Sequence, residues 1–270
     1  MLNSLLQVKS KLISNDPFGA SSKRLSYIAK WKGQNYKLRQ CFSIQDAEQL
    51  ISRLAPISNL VCTPKLLSHE EEWLIFEYYN ISEVTRNTTR KFWLELGTAI
   101  ARLESVTSTI SDPTFSQESE TSTNLTQFVL QASSELLQAN LISKDVHRKV
   151  EKATSILPTT YCYGYLDLLA GNILWNGTDI ILADEEGFAR TIAGLSLIRP
   201  FDIWHQYKPG IGVSQDEKRW LLEGYKHNGG NYKNTMEHEK ELRTIYYLLK
   251  THDSISSTGI STESLKRLKT

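Results

Sequence analysis

Three polar residues stand out in the apolar stretch 161–190, YCYGYLDLLAGNILWNGTDIILADEEGFAR: Asp167, Asn172 and Asp184. All three side chains end in oxygen donors. Magnesium is a hard cation that takes such oxygens, commonly one or two carboxylates completed by phosphate oxygens. A carboxylate outside the metal's shell can accept the proton of an attacking hydroxyl. Order and spacing match a phosphoryl-transfer scheme: an Asp facing the substrate hydroxyl, a metal-holding Asn five residues on, and a later metal-holding Asp. Any one of these residues alone reads as turn chemistry, since Asp, Asn and Gly are common in turns. The ordered set does not.

Two strands must hold them. Ile173–Trp175 and Ile180–Ala183 are apolar and β-branched or aromatic, and Asn176-Gly177 between them is a hairpin signal. In such a hairpin Asn172 opens the first strand and Asp184 ends the second. Asp167 lies on the tight loop just before, so the three side chains converge at one mouth.

The chain has 270 residues, 40% hydrophobic and 23% charged, the composition of an ordinary globular protein with room for one large domain or two lobes. A net charge of +1 gives no basis for a nucleic-acid surface or an acidic tail. Cys41, Cys62 and Cys162 are widely spaced, form no metal motif and are odd in number, which points to free thiols in a reducing compartment. The first 19 residues hold no signal-peptide core and no apolar run is long enough for a bilayer, so a cytoplasmic, membrane-free location is expected.

DLLAGNILW followed by IILADEEGFA resembles the catalytic and metal-binding loops of the aminoglycoside phosphotransferase and choline kinase group, which reads HGDLHPGNIL and then IDFEGA or a close variant. Asp167, Leu168, Gly171, Asn172, Ile173 and Leu174 match the first motif, and Asp184, Glu186 and Ala189 match the second. The family's His-Gly is Tyr165-Leu166 here. That His is a structural support of the loop, not a reacting group. The resemblance implies an α+β, two-lobed protein-kinase-like fold. Its small lobe (about 1–79) would carry an antiparallel sheet and one helix, and its large lobe (80–270) would be mainly helical. ATP and Mg²⁺ would bind in the cleft. Asp167 would orient or deprotonate a hydroxyl, Asn172 and Asp184 would hold the metal, and Glu186 is a further acid at the same mouth. The acceptor would be a small molecule bearing a hydroxyl.

The other elements follow in chain order. Apolar residues at 2, 5, 6, 8, 12 and 13 have roughly helical spacing and predict a short N-terminal helix. Gly19–Arg24 is a small, polar loop without the GxGxxG pattern. Tyr27–Trp31 and Gln34–Cys41 read as strands. Lys37 and Arg39 share one face of the second, either as solvent-facing charges or, by the resemblance, with Arg39 first and Lys37 second as the phosphate cation. Ser43 caps a helix to about Leu54. Glu48 on it is either an exposed helical acid or the family's partner of the strand cation. Strands are expected at 61–67 and 73–79, and the backbone of Glu77, Tyr78 and Tyr79 corresponds to the family's adenine-binding hinge. Helices follow at 92–103, 125–139 and 143–156, with a Ser/Thr-rich loop at 105–123. Asp202 falls where related kinases place an Asp that accepts backbone N–H bonds from the catalytic loop; a helix N-cap is the competing role. The final helices are expected near 220–225 and 236–250, with a frayed tail from Asp253. Trp204, Tyr207, Trp220, Tyr225, Tyr246 and Tyr247 serve as core or as a cage for a quaternary ammonium.

A protein kinase fits less well, because Leu169 stands where Ser/Thr kinases commonly carry Lys and no APE follows. Two other readings stay open. Tyr165-Leu166 motivates a non-catalytic, kinase-like nucleotide-binding scaffold. A metal-dependent hydrolase would use Asp167, Asp184, Glu185 and Glu186. The sequence does not determine oligomeric state.

Overall fold

Alternating side chains in the first third of the chain build a sheet. The structure, a computed structural model, describes residues 9–14, 26–79, 89–110, 124–205, 211–257 and 262–270, with the backbone alone at 9–14, 255–257 and 262. Strands β1 (Lys9–Ser14), β2 (Ser26–Trp31), β3 (Gln34–Gln40), β4 (Leu66–Glu70) and β5 (Trp73–Glu77) form one antiparallel sheet in the order β1-β2-β3-β5-β4. Lys32 and Gly33 both have positive φ, 49° and 82°, as a twisted two-residue hairpin requires. One sheet face buries Ala29, Tyr36, Leu38, Trp73 and Ile75. The opposite face turns Leu74 and Phe76 into the main core, where Leu50 and Leu54 of helix α1 (Ile44–Leu54) also lie. Lys37 and Arg39 pair across β3–β5 with Phe76 and Leu74, so they share that inward face.

The remainder is mainly helical: α2 (Arg90–Glu104), α3 (Leu125–Gln138), α4 (Lys144–Ala153), α5 (Ile198–Asp202), α6 (Gln215–His227), α7 (Tyr232–Glu237), α8 (Glu239–Ser257) and α9 (Thr262–Lys269). Short strands β6 (Thr107–Ser108), β7 (Tyr161–Tyr165), β8 (Ile173–Trp175), β9 (Ile180–Leu182) and β10 (Phe188–Thr191) thread between them, in the sets β10-β7-β6 and β8-β9. Helices α2 and α6 meet at glycines. A Cβ at Gly97 would lie 2.1 Å from Leu221 O, and one at Gly224 would lie 2.0 Å from Leu94 O. No side chain fits there. The main core runs from α1 and β5 through Phe92, Trp93 and Leu96 to Phe188 and Trp204, and so joins the sheet to the helices. A second core packs α3, α4, α8 and α9 beneath β7 and β10.

Four expectations are corrected. Residues 9–13, expected within a helix, lie in β1 on the free edge of β2, where ladder hydrogen bonds override a weak helical pattern; residues 2–8 lie outside the described residues. The strand expected at 61–67 begins only at Leu66. Before it Thr63 turns back, its hydroxyl bonded to Ile57 O and Leu60 O, and Pro64 cannot donate to a ladder. The strand expected at 73–79 ends at Glu77. The tail expected to fray stays helical to Ser257, and α9 then buries Leu268 in the second core. Trp204, Tyr225, Tyr246 and Tyr247 are buried core residues, so they form no open cage, and Tyr207 lies outside the described residues. The loop at 19–24 and most of 105–123 also lie outside them. No described helix is long and apolar enough to cross a membrane, and the three cysteines are free and buried.

Glu104 ends α2 inside the protein. It accepts the Gly194 N–H at 2.9 Å and the Tyr225 hydroxyl. Burial pushes its carboxyl up to about 7, against the lowering effect of those two bonds. A folded value above the unfolded one stabilises the protein at low pH, and that contribution is lost as pH rises through the folded value. Wild type should therefore lose stability between pH 4.5 and about 7 relative to Glu104→Gln, by at most roughly 1.4 kcal/mol for each pH unit crossed. Urea unfolding across that range checks it; a constant difference between the two proteins would refute the assignment.

Candidate active site

The polar cluster is built where β7 ends and the β8–β9 hairpin begins. At the hairpin tip Asn176 Oδ1 accepts N–H groups of Thr178 (2.8 Å) and Asp179 (2.7 Å), and Gly177 takes φ 94°. At its mouth the Ala183 N–H meets Asn172 O at 2.8 Å, which brings Asn172 and Asp184 side by side. Beyond Asp184 a short turn leads into β10, which pairs antiparallel with β7 and sets Phe188 opposite Tyr165.

Tyr165 is the brace of this arrangement. Its side chain is fully buried, and its hydroxyl accepts the Asp184 N–H at 3.1 Å and donates to Asn172 O at 3.5 Å. One oxygen thus ties together the backbones of both oxygen-donor residues. Burial, reinforced by the Asp184 and Asp167 carboxylates, holds the phenol well above its ordinary value, so it stays a neutral donor. The residue that departs from the resembled motif thus braces the loop through its own hydroxyl. The ring leaves no room next door: a Cβ at Gly187 would lie 2.6 Å from Tyr165 Cε2.

Asp167 divides its two oxygens. Oδ2 and the backbone carbonyl both accept from Asn172 Nδ2, each at 2.9 Å. Oδ1 is buried beneath Arg199 Nη1 (2.9 Å) and Lys250 Nζ (3.9 Å). The Arg199 approach is an ion pair rather than an aligned hydrogen bond, since Oδ1 receives no N–H along its axis. Burial raises the Asp167 carboxyl, but Arg199, Lys250 and Asn172 outweigh it and hold the group below its ordinary value. It is therefore a carboxylate at neutral pH. With Nδ2 committed to Asp167, Asn172 Oδ1 is left without a partner among the described residues.

Asp184 lies in the opposite electrostatic setting. Burial and the neighbouring Asp167 and Glu185 carboxylates push it up to about 6, against the opposing pull of Arg39 and Lys37. Its Oδ1 accepts the Glu186 N–H at 3.2 Å, capping the Glu185–Gly187 turn. From the sheet, Lys37 Nζ donates to Ala183 O at 2.9 Å and to Glu185 Oε1 at 2.5 Å, and Arg39 pairs with Glu186. Both predicted phosphate cations thus reach the turn after Asp184, and both act on its carboxylate.

Several residues with expected roles lie elsewhere. Glu48 is exposed and has no ion-pair partner among the described residues; buried Glu185 takes its expected place opposite Lys37. Asp202 is the last residue of α5, not a helix N-cap, and its carboxylate is held by Arg243, by Tyr247 Oη (2.9 Å) and by Arg267 (3.6 Å). Loop support comes instead from a carbonyl, the Ala170 N–H meeting Trp204 O at 3.0 Å. Glu77, Tyr78 and Tyr79 stand at the end of β5. There the Glu77 N–H is used by Lys65 O (2.9 Å), and Tyr79 Oη accepts the Lys65 N–H (3.3 Å). Arg199 and Lys250 were missed; Tyr165 was singled out only as a departure from the motif, and Glu185 only as an acid of a hydrolase site. Arg199 was legible only as part of RPFD, and nothing local marks Lys250 on an amphipathic helix.

The donor set suits magnesium carried in with a phosphate ligand. Asn172 Oδ1 and the Asp184 carboxylate are hard oxygens at one mouth, and such sites use only one or two carboxylates. No cluster of three His, Cys, Asp or Glu residues that could cage a metal by itself occurs among the described residues. One concavity lies apart from these residues. It encloses about 310 Å³ between the 58–63 turns, Tyr79 and the hairpin tip, and its one carboxylate is Asp179. Chemistry, not concavity, marks the site.

No protein-family model and no curated protein matches the sequence. Solved structures do match its shape. An ethanolamine kinase from Plasmodium vivax is 13% identical with a TM-score of 0.64, over 98% of this chain and 80% of that one. An aminoglycoside phosphotransferase solved with ADP is 13% identical with a TM-score of 0.64, over 99% and 93%. A choline kinase from Cryptosporidium parvum is 12% identical with a TM-score of 0.60, over 97% and 87%. The chain therefore has the two-lobed, protein-kinase-like fold of these small-molecule kinases.

Two outcomes follow from the contacts. Tyr165→Phe strands the Asp184 N–H and should cost about 1–3 kcal/mol in denaturant unfolding; an unchanged midpoint would remove the brace from the account. Lys37→Met leaves Glu185, which is fully buried, without its cation, and should cost about 3–5 kcal/mol. The double variant Lys37→Met/Glu185→Leu should recover most of that loss.

Proposed function

We propose that this protein transfers the γ-phosphoryl group of ATP to a hydroxyl of a small-molecule acceptor. The observation that carries the reading is the joining of Asp167, Asn172 and Asp184 into one unit by Asn172 Nδ2 and Tyr165 Oη. The fold shared with small-molecule kinases, among them one solved with ADP, supports it. A bond forms between the acceptor oxygen and the γ-phosphorus. The bond to the β,γ-bridging oxygen breaks, its electron pair leaves with ADP, and the hydroxyl proton is released.

Asp167 Oδ2 is the carboxylate oxygen not buried under cations, and it receives the acceptor hydroxyl. A carboxylate held below its ordinary value is a weak base, so Asp167 acts chiefly by orienting that hydroxyl. This suits a loose transition state in which little proton transfer is needed early. Asn172 Oδ1 and Asp184 would hold Mg²⁺, which when bound supplies charge neutralisation to the phosphate oxygens. Lys37 and Arg39, fixed by Glu185 and Glu186, place two further positive charges beside Asp184. Positioning and preorganised charge are the main sources of rate in this chemistry. The substitution of Tyr165 for His had favoured a non-catalytic scaffold; the contacts of Tyr165 weigh against that reading.

The test is thermal melting with ATP plus Mg²⁺ against ATP plus EDTA, followed by phosphate transfer to an alcohol panel. At 100 times Kd a ligand adds about 2.7 kcal/mol, a rise of several degrees. That rise should require Mg²⁺ and vanish in Asp184→Ala. Asp167→Asn should keep the rise and lose roughly 10²–10⁴-fold in kcat. No rise with any nucleotide would sink the kinase reading.

A further inference from the structure

Asp167 faces two chemically different sides. Its Oδ2 is turned toward Asn172 and the metal ligands. Its Oδ1 is turned toward cations from helices α5 and α8, which belong to neither the sheet nor the hairpin. These cations are anchored. Arg199 Nη1 also donates to Tyr246 Oη at 3.3 Å, and that hydroxyl donates to Leu166 O at 3.0 Å. Lys250 stands one turn beyond Tyr246 on α8, on the same side of the helix. The side chains of Asp167, Arg199 and Lys250 are 27%, 15% and 26% exposed, so none of the three is sealed in the core. The loop itself supplies no cation, reading Asp-Leu-Leu-Ala-Gly-Asn from 167 to 172.

Among the described residues, the acids around α5, α8 and α9 are already matched. Asp202 is held by Arg243 and Arg267, Glu239 by Lys218 and Arg243, Glu263 by Arg267, and Glu135 by His252. Asp253 faces Lys250 from further along α8. Of the aromatic residues considered for an ammonium cage, Trp204, Tyr225, Tyr246 and Tyr247 are buried, Trp220 is half-buried and Tyr207 lies outside the described residues; the Tyr246 and Tyr247 hydroxyls are committed. A cationic acceptor would meet two positive groups beside Asp167. Choline, ethanolamine and aminoglycosides, the acceptors that the names of the structural neighbours imply, all carry positive nitrogen.

We infer that the acceptor is an anionic alcohol, its carboxylate or phosphate received by Lys250 with Arg199 while its hydroxyl sits at Asp167 Oδ2. The inference rests on the phosphotransferase reading and narrows it. It gives Lys250 contact with substrate, and it makes Arg199 both an anion donor and the residue that positions Asp167. The anion must lie close to the reacting hydroxyl, as in a hydroxy acid or a polyol phosphate, because Lys250 is only 3.9 Å from Asp167.

The test measures melting of the whole protein loaded with Mg²⁺ and ADP, then adds glycerate, glycerol 3-phosphate, glycerol, choline or kanamycin. Transfer from ATP to the same five compounds is followed in parallel. A saturable further rise is expected with glycerate or glycerol 3-phosphate, and the comparison of these two separates carboxylate from phosphate. Lys250→Gln should weaken that response at least tenfold and raise the acceptor KM correspondingly, with the KM for ATP unchanged; Lys250→Arg should restore most of it. A response to choline or kanamycin with none to the anions would overturn the inference. So would an anion response indifferent to Lys250→Gln, or a Lys250→Gln defect confined to the KM for ATP, which would place the ammonium on the transferred phosphate. A nucleotide-dependent rise with no anion response would overturn it and leave the phosphotransferase reading intact. No nucleotide-dependent rise would remove the reading beneath it.

Discussion

The site depends on one phenol. The Asp184 N–H and the Asn172 carbonyl belong to the two arms of a hairpin at its mouth, and the Tyr165 hydroxyl spans them from the end of a third strand. A hydroxyl suits this task because it donates and accepts at once. Its burial among carboxylates keeps it neutral, so the brace does not titrate under ordinary conditions. The cost falls on the next turn. Tyr165 fills the space that a side chain at 187 would need, so the turn after Asp184 must carry glycine there. The Leu166 N–H to Gly187 O bond, 2.7 Å, then closes the loop that holds Asp167. Brace, glycine and loop closure are one device.

Around that device the protein distributes charge from two directions. Asp167, Asp184, Glu185 and Glu186 would repel one another if left alone. Lys37 and Arg39 come from the sheet and meet the last three; Arg199 and Lys250 come from the helices and meet the first. The outcome is asymmetric. Asp167 is held below its ordinary value, while Asp184 is pushed up to about 6. A carboxylate that must stay charged and oriented is the one between two cations. A carboxylate suited to a metal is the one with excess negative charge around it, where a divalent ion relieves most repulsion.

The sequence made the centre of this site legible and its periphery mostly not. Asp167, Asn172 and Asp184 sit on a local motif, and local hydrogen bonds of one hairpin bring them together, so spacing alone placed them. Lys37 and Arg39 were legible as a pair on one strand face. Their partners were not, because Glu185 and Glu186 are 148 and 147 positions away in sequence. Glu48 was the nearer partner only by resemblance. Asp202 was expected to brace the loop or cap a helix; instead it is a buried acid held by three side chains from α8 and α9, and no periodicity of α5 announces them. At the N-terminus a faint helical spacing lost to the open edge of β2, a constraint that exists only once the sheet has formed. The small-lobe helix, the hairpins and most large helices were read correctly, because capping residues and apolar stripes are short-range signals.

The placement of cations also explains a gap in the loop. Asp-Leu-Leu-Ala-Gly-Asn carries no basic residue, and Leu168, Leu169 and Ala170 are all buried. A cation at those positions would have to be buried with them, at a high desolvation cost. Bringing Arg199 and Lys250 from separate helices lets the loop contribute to the core while its one polar corner, Asp167, meets charges that come from outside the loop. A loop-borne cation reaches only what passes over the loop. A helix-borne one lies to the side, and under the proposed function it would bear on which acceptors approach as well as on how the carboxylate is held. Under the proposed function, the loop that bears Asp167 and the acceptor boundary would therefore change independently, the first through residues 165–187 and the second through α5 and α8.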